Sequence, residues 1–341
     1  MKAATTAGRG GGLALLLLFL LFLGVGLLRA TPEKERLQRV FGSSPPMNYL
    51  LYALDKEALI GLNFPARNAY NAAGEAFLDP RFPALPVVGS FHGSGKKIDL
   101  EKLAALKPQL VLVWSDDMMV ETIRTGMKKL GVPTREIPFS EISSIPAAFR
   151  LAGEAVGATE RGETLARYAE TAIGRVQKAV EGREPVRYYY AEGMDGLSTE
   201  CEDSFHVAAF RFAGGENVHK CSQEKLRGMQ KITFETLEAY DPEVIVVQSW
   251  PVYAEILEDP EWEKLRAVRN GRVHLVPSDP FNWLDRPPSF MGVLGVRWLG
   301  GLFHPDAFPR DLRPEIREFY ALFLGVEPTE TQIQNLLGET L

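Results

Sequence analysis

Cysteine and histidine are scarce in this chain of 341 residues, which has 2 Cys and 5 His. No CxxC, HExxH or HxxxH spacing occurs, so the sequence does not predict a zinc site or thioredoxin chemistry. A GxSxG elbow, a Walker loop and a GxGxxG turn after the first strand are also missing, which disfavours common hydrolase, nucleotidase and dehydrogenase sites. The chain is therefore not expected to be an enzyme, although an enzyme with an unrecognised site stays an alternative.

Positive charge is also in short supply. Lys and Arg number 38 against 44 Asp and Glu, giving a net charge of −6, which argues against nucleic acid as a partner. The composition is 45% hydrophobic and 24% charged, as in globular proteins. The length leaves room for about two domains.

The N-terminus has the pattern of a targeting segment. Lys2 and Arg9 precede an apolar run over residues 13–28, followed by Ala30 at a small-residue cleavage site. The run is shorter than the roughly 20 residues of a bilayer span. We predict a signal peptide over residues 1–30 and a periplasmic location, with an uncleaved anchor as the alternative. In that oxidising compartment, Cys201 and Cys221 form either a disulfide or two free thiols.

The most informative feature is an internal repeat at a constant offset of 134 residues. Residues 99–115 and 233–249 share the pairs Glu101/Glu235, Leu103/Leu237, Ala105/Ala239, Pro108/Pro242, Val113/Val247 and Ser115/Ser249. Each copy predicts a short helix, a proline that ends it, and an apolar run typical of a parallel strand covered on both faces. The repeat therefore indicates two related α/β lobes.

Between the repeats, apolar positions recur with helical spacing from about residue 145 to 180. A helix over residues 161–180 would span about 30 Å and could join the lobes as a stiff spine. The sequence predicts an α/β fold of two related three-layer lobes joined by this spine helix. The expected bounds are an N-terminal lobe over residues 31–144, a spine over 145–182 and a C-terminal lobe over 183–341.

Four motifs together carry a family resemblance over about residues 38–305: residues 39–61, the segment from Val88 to Val111, Ala213-Gly214-Gly215-Glu216-Asn217-Val218, and residues 235–245. With the repeat and the export signal, they resemble the periplasmic substrate-binding proteins of ABC importers for chelated metals. That class includes binding proteins for iron siderophores, haem, vitamin B12 and molybdate.

The resemblance implies a function without catalysis and without a cofactor. The lobes would barely move about the spine, and the ligand would lie in the cleft between them. Glu101 and Glu235 fall on the positions where one carboxylate from each lobe pairs with arginines of the membrane permease, which works with an ATPase. The alternative is that both are ordinary acids at the start of a helix.

The expected cleft lies at the carboxyl ends of the strands, where open α/β sheets bind ligands. Aromatic walls with a few polar or cationic anchors suit a flat chelate. The candidate ligand-binding residues are Asn63, Phe64, Phe91, His92, Trp114, Tyr190, Glu192, His206, Trp250, Trp283 and Arg286. Core packing is the alternative for the aromatics, structural hydrogen bonding for the histidines, and a local pair with Asp285 for Arg286.

The sequence does not fix the cargo. A ferric siderophore is the first candidate, and haem, a corrinoid, a nickel chelate and molybdate are the others; no metal ligands are assigned. A ligand-sensing partner of a membrane receptor would share the same fold and cleft, so it stays an alternative to an importer component.

Overall fold

The computed structural model describes residues 1–4, 35–66, 74–91, 97–116, 118–223 and 228–338. Residues 1–35 form a unit separate from residues 36–341, and nearly all of the predicted signal peptide lies outside the described residues. Within the described ranges, we find no helix with the length and apolar character needed to span a membrane. All elements below belong to residues 36–341.

The first sheet has three parallel strands in the order β1–β2–β3. They are β1 (Val40–Gly42), β2 (Leu110–Trp114) and β3 (Thr134–Ile137). The accompanying helices are α1 (Pro45–Asp55), α2 (Arg81–Ala84), α3 (Leu100–Ala105) and α4 (Val120–Leu130), with a 3₁₀ turn at Gly74–Phe77. The central strand β2 is buried on both faces except at Trp114, as expected for a covered parallel sheet.

The segment between the sheets is a helix hairpin. A 3₁₀ turn at Ile142–Ser144 leads into α5 (Ile145–Val156) and then α6 (Thr159–Val180). Gly157 adopts a left-handed φ of 79°, which ends α5. The expected spine over residues 145–182 is therefore two helices, of which the 22-residue α6 corresponds to the predicted long helix.

The second sheet has four parallel strands in the order β6–β4–β8–β9, and β5 and β7 form a separate antiparallel ribbon. The strands are β4 (Val186–Ala191), β5 (Ser198–Thr199), β6 (Gly215–Asn217), β7 (Gln230–Lys231), β8 (Val244–Val247) and β9 (Val273–Leu275). The helices are α7 (Ala208–Phe212), α8 (Phe234–Tyr240), α9 (Trp250–Glu258) and α10 (Arg266–Arg269), with 3₁₀ turns at Phe205–Val207 and Trp262–Lys264.

The repeat extends to the backbone. Lys107 and Asp241, at the same repeat position, both have positive φ angles, of 50° and 39°, and each precedes the repeated proline. This conformation ends the helix and redirects the chain into the strand. Arg187 donates to the carbonyl oxygens at the end of α8, as Arg39 does at the end of α3. The expected α/β fold of two related lobes is confirmed.

The two sheets share one hydrophobic core. Because strand side chains alternate between faces, Leu112 of β2 and Val246 of β8 point into the shared core, whereas Val111 and Ile245 pack in separate outer cores. Tyr49 stacks on Phe281 with ring centroids 3.7 Å apart, within the same core region. A continuous core makes independent movement of the lobes costly.

The C-terminal helices return to the first sheet. They are α11 (Gly292–Phe303), α12 (Arg313–Phe319) and α13 (Glu330–Leu337), with a π turn at Tyr320–Leu324. The Tyr320 ring packs edge-on against Phe77, with centroids 5.2 Å apart, and Arg161 of α6 donates to the carbonyl oxygen of Leu322. Part of the expected C-terminal lobe, residues 183–341, therefore packs against the N-terminal lobe.

Candidate ligand-binding site

Aromatic rings from the two lobes meet at the carboxyl ends of the sheets. Trp114 is the last residue of β2, and its ring centroid lies 5.7 Å from that of Phe205, at an interplanar angle of 84°. Phe205 is 41% exposed and lies beside the ring of His206, with centroids 3.9 Å apart. These rings lie at the carboxyl end of β2, where the sequence predicts the cleft.

His206 is held by a buried carboxylate. Its Nδ1 atom lies 2.6 Å from Oδ2 of Asp285, which is fully buried, whereas the His206 side chain is 18% exposed. The hydroxyl of Ser204 accepts a hydrogen bond from the backbone N–H of His206 and fixes the turn. Because the carboxylate can only accept, the proton of a neutral imidazole lies on Nδ1, and the lone pair lies on Nε2.

Arg286 lies in a cluster of buried acids. Its Nε donates to Oε1 of Glu192 and its Nη2 donates to Oε1 of Glu200, and both acids have no side-chain exposure. Asp285 Oδ2 lies 3.6 Å from the same Nε. The Arg286 side chain is 25% exposed, so part of it reaches the surface. Arg286 pairs chiefly with Glu192 and Glu200. The alternative interpretation of the sequence was a local pair with Asp285.

Some buried oxygen atoms of this cluster have no hydrogen-bond partner in the part of the chain that the structure describes. Oε2 of Glu192, Oδ1 of Asp285 and the hydroxyl of Tyr190 are buried and have no hydrogen-bond partner among the described residues. Burial raises the pKa of Glu192 to about 7, although the charge of Arg286 acts in the opposite direction. A carboxylate in this state has unused capacity to accept a hydrogen bond or a positive charge.

Cys201 and Cys221 are joined by a disulfide, and their Cα atoms are 4.8 Å apart. Cys201 directly follows Glu200, and Gln223 lies two residues after Cys221. The Nε2 of Gln223 donates to Oε2 of Glu200 at 3.3 Å, and the backbone N–H of Gln223 donates to Asp203 at 2.8 Å. The disulfide thus holds together two segments that position Glu200.

Three candidate residues lie beneath the cleft. Asn63 is buried. Its side-chain oxygen accepts a hydrogen bond from Asn48 at 2.7 Å, and its side-chain nitrogen donates to the carbonyl oxygens of Gly42 and Gly89. The amide of Asn63 therefore joins neighbouring loops. Trp283 is fully buried in the shared core, which corrects its expected place in the cleft wall. Tyr190 is also fully buried, with its hydroxyl near the acid cluster.

The remaining aromatic candidates lie at the surface. Phe64 and Trp250 are exposed, and the Trp250 ring lies 5.7 Å from that of Tyr253. Phe91 lines a surface recess of about 470 Å³ with Leu100 and residues of α4. His92 lies outside the described residues.

Glu101 and Glu235 occupy equivalent exposed positions in the first turns of α3 and α8. Asp99 caps α3 by accepting from the N–H of Lys102, and Thr233 caps α8 by accepting from that of Thr236. A hydrogen bond from its own backbone and one from Thr233 lower the pKa of Glu235. Both carboxylates project from rigid, capped helix starts.

The candidate residues chosen from the sequence omit three that the structure brings together with them: Glu200, Asp285 as the partner of His206, and Phe205 opposite Trp114. Glu200 occurs in a polar stretch around Cys201, and nothing in its local pattern indicates burial. Its position follows from the β5–β7 ribbon and the disulfide, which connect segments distant in sequence.

The fold agrees with the comparisons. Residues 85–280 match the periplasmic binding protein family, and the chain belongs to that family of binding proteins. A solved ABC transporter solute binding protein from Sulfurospirillum deleyianum is 36% identical, with a TM-score of 0.84 over 89% of this chain and 95% of that chain. The chain is therefore a solute-binding protein of the ABC transporter class rather than an enzyme.

Two curated relatives have stated ligands. The vitamin B12-binding protein of Vibrio parahaemolyticus is 23% identical over 78% of this chain and 90% of its own length. The molybdate-binding protein MolA of Haemophilus influenzae is 24% identical over 68% of this chain and 71% of its own length. The two proteins bind chemically different solutes, so the ligand of this chain has to be argued from its own cleft.

Proposed function

We propose that this chain is the extracytoplasmic solute-binding component of an ABC importer and that its cargo is a chelated metal. The observation that carries this proposal is the exposed edge of His206, whose Nδ1 is held by buried Asp285. An imidazole oriented in this way by a carboxylate is typical of metal ligands. Nε2 could complete the coordination of a metal whose chelator leaves one position open.

The surroundings of His206 favour an organic chelate. Phe205 and Trp114 provide ring faces and edges, and exposed Met118, Met194 and Trp250 follow strands β2, β4 and β8. Apolar walls around a few polar groups are typical of small-molecule sites. A ferric siderophore is the first candidate; haem, a corrinoid and a nickel chelate also fit such walls, and molybdate is the cargo of one relative.

Delivery requires a membrane partner. Glu101 and Glu235, on capped helices related by the repeat, support docking of one carboxylate from each lobe onto basic residues of the permease. The permease would work with its ATPase. Export by the signal peptide over residues 1–30 would place the protein in the periplasm, where the Cys201–Cys221 disulfide is stable.

The test is a thermal-shift screen of residues 31–341 against ferric siderophores, haem, cobalamin, nickel–histidine and molybdate. Ligand at 100 times its Kd adds about 2.7 kcal/mol and should raise the Tm by about 5 °C. His206→Gln should reduce the shift for a chelate with an open position, and His219→Gln should not. Absence of a shift with every chelate would contradict the chelated-metal cargo.

A further inference from the structure

The cleft wall contains more buried acids than bases. Glu192, Glu200 and Asp285 all have side chains at most 1% exposed, and among the residues that the structure describes Arg286 is the one guanidinium that pairs with them. The charges acting most strongly on Glu192 are those of Arg286, which is positive, and of Asp285 and Glu200, which are negative. With the three acids ionised, the cluster is negative even if His206 is protonated.

Neighbouring cationic side chains do not neutralise this excess of negative charge, because they pair with other acids. Lys231 pairs with Asp195, and Lys220 pairs with Glu202 and Glu216. The guanidinium of Arg211 lies 3.9 Å from the carboxylate of Glu141. From the first lobe, the loop after β2 brings Asp116, another acid, which accepts from Ser140 at 2.6 Å. The described groups around the cluster therefore leave a negative potential in the cleft.

Two buried oxygens point to a ligand rather than to a closed structural network. Oε2 of Glu192 and Oδ1 of Asp285 lack a hydrogen-bond partner among the described residues, although both side chains are at most 1% exposed. A buried carboxylate oxygen without a partner is costly, and a positive ligand would remove that cost.

We infer that the cleft selects metal chelates of net positive charge and discriminates against oxyanions and polyanionic chelates. This inference rests on the proposed function and adds the charge class of the cargo. Arg286 is the cationic residue among the ligand-binding candidates, and its Nε and Nη2 already donate to Glu192 and Glu200. Its positive charge is therefore largely neutralised within the protein. An anion beside it would also lie close to the buried carboxylates, whose negative charge would repel it.

The experiment compares probes of different charge by calorimetry on residues 31–341. The cationic probes are ferrioxamine B, aquacobalamin and the 1:1 nickel–histidine complex; the anionic probes are molybdate, ferric citrate and a ferric tris-catecholate. The expected result is that at least one cationic probe binds, at least tenfold more tightly than every anionic probe. Tighter binding of an anionic probe would overturn the inference and leave the proposed function standing. Binding of no probe would overturn both.

Charge-neutral variants test whether the acids cause the preference. Glu200→Gln keeps the shape of the side chain and should weaken the cationic probe about tenfold. The matched control is Glu202→Gln, two residues along, whose side chain is 44% exposed and pairs with Lys220. If Glu200→Gln folds poorly in a melting experiment, Glu192→Gln serves as the second variant. Unchanged or tighter binding of the cationic probe by the folded variant would contradict the inference.

Discussion

The indole of Trp114 and the ring of Phe205 meet edge to face, with centroids 5.7 Å apart, although Trp114 ends β2 of the first sheet and Phe205 begins the 3₁₀ turn before β6 of the second. Beneath them the two sheets share one continuous core. The contact is therefore preformed by the fold. A ligand entering the cleft has to lie against these rings or separate them.

Replacing Phe205 should weaken ligand binding without destabilising the protein. Its ring is 41% exposed, so Phe205→Ala should change the Tm little. Loss of one aromatic wall should lower the affinity for a bound chelate about tenfold, measured by calorimetry. The control is Leu257→Ala, another exposed apolar residue, on α9. Equal losses in the two variants would show that Phe205 does not form the wall.

Removing the disulfide should affect both stability and binding. Cys201 and Cys221 are separated by 20 residues, and a cross-link over a loop of this length contributes about 3 kcal/mol in the chain-entropy description. The Cys201→Ser/Cys221→Ser variant should lose about that much free energy of unfolding in urea. It should also bind more weakly, because the segment carrying Gln223 no longer holds Glu200.

Gln223→Ala separates these two effects. This variant keeps the disulfide and loses the 3.3 Å hydrogen bond to Glu200, so it should weaken binding with little loss of stability. Full affinity in both variants would show that the position of Glu200 does not depend on this segment.

The affinity for a cationic chelate should rise with pH. Burial raises the pKa of Glu192 from 4.5 to about 7, so the folded protein favours the neutral acid. The contribution of this raised pKa to the stability of the folded protein is fully present below pH 4.5 and is lost as the pH rises through 7. A cationic ligand favours the ionised form, so binding releases a proton, and the affinity should increase between pH 5 and 8.

Calorimetry in buffers of different ionisation enthalpy measures the released protons. Glu192→Gln should flatten the dependence, because it removes the group whose pKa is raised to about 7. An affinity that falls with pH, or an identical slope in the Glu192→Gln variant, would contradict this prediction.

The fold could be predicted from the sequence because the repeat is local and periodic. Pro108 and Pro242 end helices, and the apolar runs after them form buried strands. The interruption of the spine at Gly157 was less predictable, since apolar spacing continues through the turn and only one left-handed residue divides the helices.

The site was less predictable, because its contacts join distant segments. Trp114 was correctly expected at the end of a strand. Trp283 is also a tryptophan that follows a strand, but it is fully buried. Arg286 meets Glu192 and Glu200 across 94 and 86 residues of sequence. Local composition cannot indicate such pairs, nor can it separate a cleft residue from a core residue.

Docking to the permease should depend on Glu101 and Glu235 and be independent of ligand affinity. Both acids are exposed in capped first turns related by the repeat, and Glu101→Ala/Glu235→Ala should therefore fold and bind normally. Uptake of a radiolabelled chelate by cells carrying the cognate permease should fall at least tenfold, because two charge pairs at a docking interface are lost. The matched control is Glu121→Ala, an exposed first-turn acid of α4. Normal uptake by the double variant would remove these residues from the docking surface, and reduced affinity would place them in the binding site instead.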